Sequence, residues 1–596
     1  MKRHISLGVA AAVSALALVA LSVGPTAAAD ASAKRKPGAA LGQAKHLVVI
    51  YEENHSFDNL YGGWGSVNGD HVVGRADATP SHTTQVSQTG SPYSCVMQND
   101  VNLTSPPLAA LAGCSPGTVV FPDGTSTSYS SRFTNGPFRI DNFIKPADRT
   151  CPPLNNLFAF PNGVDKNNPP PGARAGGCTR DLVHKFYQEI YQLNGGRQNR
   201  YVTGSDAVGL SMGFYDTRQL PIYRYLHGRK APKYVIADHF FQAAFGGSYL
   251  NHQYLVAAQP PLWSAAPASA HAVLDSAGGV HAYPLYKPTG AVVDGNVTQV
   301  CGAGSAANRL ACGDWTVNTS LPALQPTSNY APKIPMIDDT TRAMNIGDRM
   351  SDAGVSWAWY SGGWDNAAGK VRGRGYTNGP GPTCSDPDST PAPADANGTN
   401  AGYPFCPHRT FQQHHQPLAY FARYGPGTPG RAKHLKDEKD FLFQAAHGRL
   451  PKVSFIKPLG EENEHPGYAS EPNGSDHLVQ LIKAIQRGPQ AKNTLIVVAY
   501  DEFGGTWDHV SPPGMGRTKG AHDQFGPGTR IPALLIGKPL TRSGVDHTVY
   551  DTTSIMATIE HAFGLKPVAH PAGVVPRDSR VADLRKAISL RPRTKR

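Results

Sequence analysis

The apolar residues of this chain are concentrated in short runs that long polar segments separate. Each run is a continuous stretch rich in β-branched and aromatic residues, whereas a strand with one solvated face would alternate apolar and polar residues. This pattern predicts strands that are covered on both faces. Six runs show it: residues 46–51, 234–237, 355–360, 453–456, 495–500 and 531–536.

Helical patterns lie between these runs. Residues 476–485 place their apolar side chains on one face, and residues 551–563 start with an Asp/Thr pair and are followed by Gly564 and Pro567. A capping residue at the start, and glycine then proline beyond the end, are typical of a helix. Strands that alternate with helices predict an α/β sandwich with a mainly parallel sheet.

Long polar segments at about 66–180, 260–335 and 365–410 contain all eight cysteines. An even number of cysteines fits an oxidising compartment, and the lack of a C-x-x-C pair argues against a thiolate zinc site or a redox centre. Eight cysteines allow 105 pairings, among which short loop closure favours nearest neighbours. We therefore predict disulfide-braced insertions that wall a substrate pocket. The favoured pairs are Cys95 with Cys114, Cys151 with Cys178, Cys301 with Cys312, and Cys384 with Cys406.

The first 29 residues have the pattern of a signal peptide. Lys2 and Arg3 precede an apolar run at 7–23, and an Ala-Ala-Ala cleavage site precedes Asp30. The apolar run is short for a membrane span, so export with cleavage is favoured over an N-terminal anchor. We expect a secreted protein, extracellular or periplasmic, with a flexible segment at 30–43, a catalytic domain at 44–570 and a basic tail at 571–596.

The formal net charge of +12 comes from 56 basic and 44 acidic residues. A basic balance can indicate nucleic-acid or anionic-membrane binding. Here the charges are scattered, apart from the basic residues at 34–36 and 591–596. We therefore expect no nucleic-acid partner and no stable membrane insertion, and only a mild attraction for anionic substrates.

Two predicted strands end in acidic residues. The first is followed by Glu53 and Asn54, and the strand at 495–500 is followed by Asp501 and Glu502, then by a Gly-Gly turn and Asp-His. Ligands bind at the carboxyl edge of open α/β sheets, and paired carboxylates there need a cation or strong donors. Mixed carboxylate and amide ligands suit a hard divalent metal ion, while solvated polar turns are the alternative.

A Gly-Gly-Ser turn opens a predicted helix at Ser248. The free N–H groups and the dipole at a helix N-terminus favour an anion such as a phosphoryl group. The turn is not the G-x-S-x-G elbow of acyl hydrolases. An ordinary N-cap serine is the alternative interpretation.

Several histidines lie in motifs that could complete a site. The adjacent His414 and His415, and an Asn-Glu-His-Pro loop that contains His465, are harder to dismiss as structural residues than a single histidine such as His184.

Six collinear motifs resemble the phosphoesterase family of bacterial acid phosphatases and non-specific phospholipases C, which belongs to the alkaline-phosphatase-like superfamily. The resemblance covers about residues 44–565. The motifs are Glu-Asn-His-Ser-Phe-Asp at 53–58, Asp-Leu-x-His at 181–184, Phe-Gly-Gly-Ser-Tyr-Leu-Asn-His at 245–252, His-His-Gln-Pro-Leu-Ala-Tyr-Phe at 414–421, Asn-Glu-His-Pro at 463–466 and Tyr-Asp-Glu-Phe-Gly-Gly-Thr-Trp-Asp-His-Val at 500–510.

The resemblance implies a three-layer α/β/α fold of the alkaline-phosphatase type and assigns roles to nine residues. A divalent cation (Ca²⁺, Mg²⁺, Mn²⁺ or Zn²⁺) would bind to Glu53, Asn54, Ser248, Asp501 and Glu502. Ser248 would also be the nucleophile, and the phosphoryl oxygens would be surrounded by His184, His414, His415 and His465. The chain departs from the usual family pattern at His55, where Arg is common, and at Phe503.

These features together predict a secreted, metal-dependent phosphoesterase that acts through a phosphoserine. The Ser-containing glycine turn and the His-His pair look more like the acid phosphatase branch, so a phosphomonoester is the expected substrate. A phospholipase C that cleaves phospholipid headgroups is the first alternative. An inactive binding protein on the same scaffold is the second.

Overall fold

A central sheet of eight strands organises the part of the chain that the structure, a computed structural model, describes. In chain order the strands are β1 (His46–Glu52), β2 (Tyr234–Ala237), β3 (Trp357–Ser361), β4 (Leu435–Asp437), β5 (Val453–Lys457), β6 (Thr494–Tyr500), β7 (Ala533–Ile536) and β8 (Gly544–Asp546). Their spatial order is β4-β3-β5-β1-β6-β7-β2-β8. The described residues are 41–97, 117–120, 126–129, 132–149, 151, 177–275, 293–302, 309–322, 333–377, 408, 410–571, 574 and 576–591.

All six predicted strands are present in this sheet, which is parallel except for β7. Strand β7 pairs antiparallel with both β6 and β2. The sequence did not reveal β4 and β8, because three-residue edge strands are too short to form a recognisable apolar run. The prediction of a mainly parallel sheet is confirmed.

Eight helices of six or more residues are described. They are α1 (Phe186–Leu193), α2 (Pro221–Leu226), α3 (Ser248–Ala257), α4 (Ile346–Asp352), α5 (Pro429–His434), α6 (Glu438–Ala446), α7 (Glu471–Arg487) and α8 (Thr553–Phe563). Helix α7 contains the first predicted helical segment, and α8 covers the second except for its first two residues. Helix α8 ends as predicted at Gly564, which adopts a left-handed conformation.

Helices cover both faces of the sheet. On β3, the ring of Trp359 lies 6.4 Å from that of His252 in α3. The next residue, Tyr360, points to the opposite face, where its ring lies 5.4 Å from Phe441 in α6. Helices α4 and α8 pack with α3, and α2 and α6 pack with α7. The described part of the chain is therefore a three-layer α/β/α sandwich, as expected.

Shorter elements decorate the sandwich. Helical turns span Phe57–Leu60, Pro80–Thr83, Trp364–Ala367 and Arg585–Ile588. Six two-stranded pairs join Ser66–Val67 to Asp70–His71, Cys95–Met97 to Arg132–Thr134, Gly117–Val120 to Ser126–Tyr129, Phe138–Arg139 to Gly213–Phe214, Phe240–Phe241 to Tyr550–Asp551, and Leu321–Pro322 to Lys333–Ile334.

Disulfide bonds brace two of the predicted insertions. Cys151 pairs with Cys178 and Cys301 pairs with Cys312, as predicted. Cys95 is also disulfide-bonded. Its predicted partner Cys114, together with the predicted pair of Cys384 and Cys406, lies outside the described residues.

The structure describes the C-terminal segment of the chain but not the predicted signal peptide. The predicted signal peptide lies outside the described residues, and none of the described helices has the length and apolar character that a membrane span requires. At the other end, the Arg577 side chain is fully buried and the turn Arg585–Ile588 buries Ala587 and Ile588. Packing against the sandwich therefore continues beyond residue 570, to about Leu590.

The strand register brings the two acidic strand ends together. Strands β1 and β6 are parallel neighbours, with Glu52 opposite Tyr500. The residues that follow, Glu53 and Asp501, therefore leave the sheet side by side. Strand β5 pairs with the other edge of β1 and ends at Lys457. All three strand ends thus meet at the carboxyl edge of the sheet.

Candidate active site

Three carboxylates are buried together at this edge. The side chains of Glu53, Asp501 and Glu502 have no solvent exposure. Asp501 Oδ1 accepts hydrogen bonds from the backbone N–H groups of Asn54 (3.0 Å) and Glu502 (2.8 Å), and Glu502 Oε2 accepts one from Gly504 N (2.5 Å). Within the described part of the chain, Asp501 Oδ2 and Glu502 Oε1 have no hydrogen-bond donor.

These unpaired oxygens fit a divalent cation. Burial, followed by the charge of Asp501, raises the pKa values of Glu53 and Glu502 well above their usual range. Carboxylates in such a setting need a compensating positive charge, and oxygen ligands are those that hard divalent cations prefer. The carboxylates of Glu53 and Asp501 and the ring of His252 offer ligand atoms within 4.8 Å of one another. The residues present are therefore suited to hold a metal ion.

Ser248 faces this carboxylate group. Its hydroxyl lies within hydrogen-bond distance of Glu53 Oε2 (3.1 Å) and Asn54 Oδ1 (3.3 Å), and its side chain is buried. Ser248 is the first residue of α3, whose N-cap is Gly247. The alternative interpretation as an N-cap serine is therefore wrong.

Glycines allow the loops of the site to approach one another closely. A Cβ atom on Gly247 would lie 2.9 Å from Cδ2 of His184, and one on Gly504 would lie 2.1 Å from the carbonyl oxygen of Asn54. Gly504 also has a φ of +58°, which side-chain-bearing residues rarely adopt. The Gly-Gly pairs of the two motifs are therefore required by close backbone packing.

His184 and His465 flank Asn54. The Nδ1 atoms of His184 and His465 each lie 2.5 Å from a carbonyl oxygen, of Leu182 and Pro466 respectively. Since a carbonyl oxygen only accepts, we assign the ring proton to Nδ1. Each Nε2 is then an acceptor for the Asn54 amide, at 3.4 Å from His184 and 2.9 Å from His465. Burial lowers the pKa values of both rings.

The His-His pair approaches the site from a short helical turn, Gln413–His415. His415 Nδ1 lies 3.3 Å from Glu53 Oε1, and the His415 ring stacks on His252 with centroids 5.0 Å apart. The His414 ring lies 4.4 Å from that of His415, and burial lowers the pKa of His414 to about 3. Burial also lowers the pKa of His415, so both rings are uncharged near neutral pH.

The structure brings all nine predicted residues to one edge of the sheet and adds two that sequence reasoning missed. His252 Nδ1 lies 2.7 Å from the carbonyl oxygen of Ser248 and 3.8 Å from Asp501 Oδ2. Its position four residues after Ser248 on the same helix was the available signal. The Lys457 ammonium contacts Glu53 Oε1 and donates to the Tyr51 carbonyl oxygen (3.0 Å).

Three other groups of acidic residues and histidines are engaged by neighbouring side chains. The group of Asp58, Asp508 and His509 includes the buried guanidinium of Arg530. The second group consists of Glu438, Glu462 and His477. Burial lowers the pKa of His477, but the carboxylates outweigh it and raise the value to about 9, so the ring is itself the cation. The third group consists of Asp238, His239 and His547, and both imidazole rings contact the Asp238 carboxylate.

The two departures from the family pattern lie in the structural framework. His55 Nδ1 lies 2.6 Å from Asn59 Oδ1, and its Nε2 lies 2.9 Å from the Glu464 carbonyl oxygen. Its ring is thus engaged by neighbouring loops. Phe503 is fully buried, with its ring 6.2 Å from that of Tyr201.

Comparison with known proteins places these features in a family. Phospholipase C B of Mycobacterium tuberculosis is 24% identical over 573 residues, covering 91% of this chain and 77% of that protein. Non-hemolytic phospholipase C of Pseudomonas aeruginosa is 29% identical over 142 residues, 20% of each chain. A solved alkaline phosphatase superfamily protein from Vibrio parahaemolyticus matches 38% of this chain and 48% of its own at 10% identity, with a TM-score of 0.21. The Phosphoesterase family model matches residues 44–566, so this chain belongs to the Phosphoesterase family and is a hydrolase that acts on phosphoric ester bonds.

Proposed function

We propose that the protein hydrolyses phosphomonoesters through a phospho-Ser248 intermediate at a metal-assisted site. The observation that carries this proposal is the position of the Ser248 hydroxyl, 3.1 Å from Glu53 Oε2 and 3.3 Å from Asn54 Oδ1, beside unpaired carboxylate oxygens of Asp501 and Glu502. These five residues are the proposed ligands of a divalent cation. When bound, the cation would supply Lewis acidity, which lowers the pKa of a hydroxyl and offsets negative charge.

The reaction consists of two displacements at phosphorus. The Ser248 hydroxyl gives up its proton as its oxygen attacks phosphorus, the ester P–O bond on the opposite side breaks, and the departing alkoxide takes up a proton, so the step consumes no net proton. Water then attacks the phosphoserine, which releases inorganic phosphate and restores the Ser248 hydroxyl. The N-terminus of α3 favours negative charge at this position because its backbone N–H groups are directed there.

The histidines line the phosphoryl position. His184 and His465 offer Nε2 as an acceptor while their rings are neutral, so they can donate to a phosphoryl oxygen only after gaining a proton. A phosphate ester brings negative charge, which favours the imidazolium form. We propose that one of the four rings, with His414 and His415 as the others, delivers the proton to the leaving alkoxide.

Substitution of the serine tests the nucleophile. Ser248→Ala should reduce kcat by at least about a thousandfold, equivalent to about 4 kcal/mol, because the covalent route is lost. Ser554→Ala is the matched control, since Ser554 lies in the first turn of α8 and its hydroxyl accepts only a local hydrogen bond from Asp551 N. The control should retain activity within about threefold, as loss of a helix-terminal hydrogen bond costs only about 1 kcal/mol of stability.

Stereochemistry provides an independent test. With a chiral phosphate ester, two in-line displacements at phosphorus should give net retention of configuration. Inversion would mean that water attacks the substrate directly and that Ser248 is not the nucleophile.

A phospholipase C activity is the second candidate. The names of the relatives favour it, whereas the Ser248 turn and the His-His pair favour the phosphomonoester. Turnover of p-nitrophenyl phosphate, a phosphodiester and phosphatidylcholine by the same pure protein separates the two. Preference for phosphatidylcholine would overturn the phosphomonoester assignment, and no turnover of any substrate in metal-loaded protein would indicate an inactive binding protein.

We also propose that the protein is exported. The pattern of residues 1–29 and the disulfide bonds at Cys151–Cys178 and Cys301–Cys312 support this proposal. N-terminal sequencing of the protein recovered outside the cytoplasm should begin near Asp30. Recovery of the intact N-terminus, or of eight thiols that alkylate without reductant, would contradict it.

A further inference from the structure

Glu189 places a buried carboxylate beside the catalytic loops, although the mechanism assigns it no role. It lies on α1, five residues after His184, and its side chain has no exposure. Oε2 accepts hydrogen bonds from Gly246 N (2.6 Å) and Gln242 Nε2 (2.8 Å). Oε1 accepts two from Thr529, through its backbone N and its hydroxyl, both at 2.7 Å. Four donors thus converge on one carboxylate.

The bond to Gly246 fixes the turn that presents the nucleophile. Gly246 lies two residues before Ser248 and has a φ of +86°. Its carbonyl oxygen also accepts from Gln242 Nε2 (3.1 Å) and Asn251 Nδ2 (3.2 Å). The backbone N–H and C=O groups of Gly246 are therefore both held by buried side chains, which determines the direction in which α3 begins.

Gln242 extends the connection to the second acidic strand end. Its Oε1 accepts a hydrogen bond from Phe503 N (2.9 Å), the residue directly after Glu502. The amide of Gln242 therefore bonds at one end to Glu189 and at the other to the loop of a proposed metal ligand. Glu189 and Gln242 together join the nucleophile turn to this loop.

The helix that carries Glu189 also sets the position of His184. A Cβ atom on Gly246 would lie 2.7 Å from Phe186 N, the first residue of α1. The start of α1 is thus packed directly against the Ser248 turn. A shift of Glu189 relative to Gly246 would change the separation of His184 and Ser248.

We infer that Glu189 is a positioning residue that holds the Ser248 turn, the Glu502 loop and the His184 loop in register for phosphoryl transfer. The inference rests on the proposed role of Ser248. Only a carboxylate can accept at both oxygens from four N–H and O–H donors, since an amide presents donors at one of its two ends. Burial raises the pKa of Glu189 to about 7, so an ionised carboxylate at this position costs stability that an uncharged amide would not.

The test is the isosteric change Glu189→Gln. In the variant an NH₂ group replaces one of the two accepting oxygens and therefore faces other donors. Depending on which oxygen is replaced, the hydrogen bond from Gly246 or those from Thr529 are lost. Small displacements of reacting groups can cost on the order of a hundredfold in rate. We expect kcat for p-nitrophenyl phosphate to fall about 10- to 100-fold, with KM within about threefold and bound metal unchanged.

Thr529→Val is the matched control. It removes the hydroxyl group that donates to Glu189 Oε1, the oxygen that does not accept from Gly246. The backbone N–H group of Thr529 still donates to the same oxygen. A structural role alone predicts that kcat falls in both variants in proportion to their loss of thermal stability. The positioning role predicts that kcat of Thr529→Val stays within about threefold of the wild type, because the turn remains held.

Gln242→Met provides a second route if Glu189→Gln does not fold. It breaks the link to Phe503 at similar side-chain length and should also lower kcat with little change in KM. In the double variant the two effects should not add, because both residues act through one connection. Wild-type kcat in a folded Glu189→Gln or Gln242→Met protein would overturn the inference. Retained activity in Ser248→Ala would instead overturn the proposed function, so the two failures are distinguishable.

Discussion

Lys457 and Glu53 form an ion pair in which both side chains are fully buried. The lysine ends β5 and the glutamate follows β1, so the pairing of neighbouring parallel strands brings them together. This ammonium group compensates one of three adjacent buried carboxylates. The oxygens left unpaired on Asp501 and Glu502 are those available to a metal ion.

Removal of this lysine should strengthen metal binding and weaken the metal-free protein. In Lys457→Met the carboxylate group gains net negative charge, and Glu53 loses its partner. Breaking a buried pair typically costs about 3–5 kcal/mol. We expect a lower Tm than the wild type after chelation and a larger rise in Tm on adding metal. Lys452→Met, on the exposed residue before β5, should change neither quantity, and equal effects of the two substitutions would contradict the prediction.

Neutralisation of Asp501 should have the opposite effect on metal binding. Asp501→Asn can keep Oδ1 as the acceptor for Asn54 N and Glu502 N, while the unpaired oxygen becomes an uncharged NH₂ group. We expect metal content, measured by elemental analysis, to fall to near zero and activity with it. The Tm of the chelated protein should be equal to or higher than that of the wild type. Full activity of exhaustively chelated wild type would refute the metal site.

Arg530 stabilises the fold next to the site. Its buried guanidinium donates to Asp508 at 3.1 Å and to Asp58 at 3.2 Å. In Arg530→Met two buried carboxylates lose their cation, which should lower the free energy of unfolding by about 3–5 kcal/mol. The partly exposed pair of Arg374 and Asp440 is the control, and Arg374→Met should cost about 1 kcal/mol or less. Urea unfolding of both variants would show whether the two losses differ.

His477 should make stability depend on pH. Although burial opposes it, the carboxylates of Glu438, Glu462 and Glu52 raise the pKa of this ring to about 9 in the folded chain. Because the folded value lies above that of an unfolded histidine, about 6.5, the ring's contribution is complete below pH 6.5 and is lost as pH rises through 9. The wild type should unfold at a higher urea concentration than His477→Gln at pH 6, and the difference between their urea midpoints should shrink as the pH rises to 9.5. A constant difference would contradict this expectation.

Local sequence was enough to locate the acidic part of the candidate site because it lies where strands end, whereas the roles of Ser248 and the histidines were implied by the family resemblance. The apolar runs at 46–51 and 495–500 were recognisable, and the acidic residues directly after them had to leave the same sheet edge once the strands paired in parallel. The helix start at Ser248 was predicted from its Gly-Gly turn in the same way. These inferences needed only short-range patterns and the direction of the strands.

Residues that act across long sequence separations could not be found in this way. Glu189 and Gly246 are 57 residues apart, and Lys457 and Glu53 are separated by more than 400. Nothing local distinguishes a glutamate within a helix, or a lysine at a strand end, from a solvated residue. Their roles depend on which loops the folded chain packs together, which only the three-dimensional arrangement specifies.

The close approach of Gly504 to Asn54 constrains how this protein can be engineered. Because a Cβ atom there would lie 2.1 Å from the Asn54 carbonyl oxygen, even alanine cannot be accommodated unless the loop that carries Asn54 moves. In a saturation library at this position, the glycine codon alone should survive selection for turnover. Efforts to change the substrate preference should therefore leave the loop at residue 504 as it is.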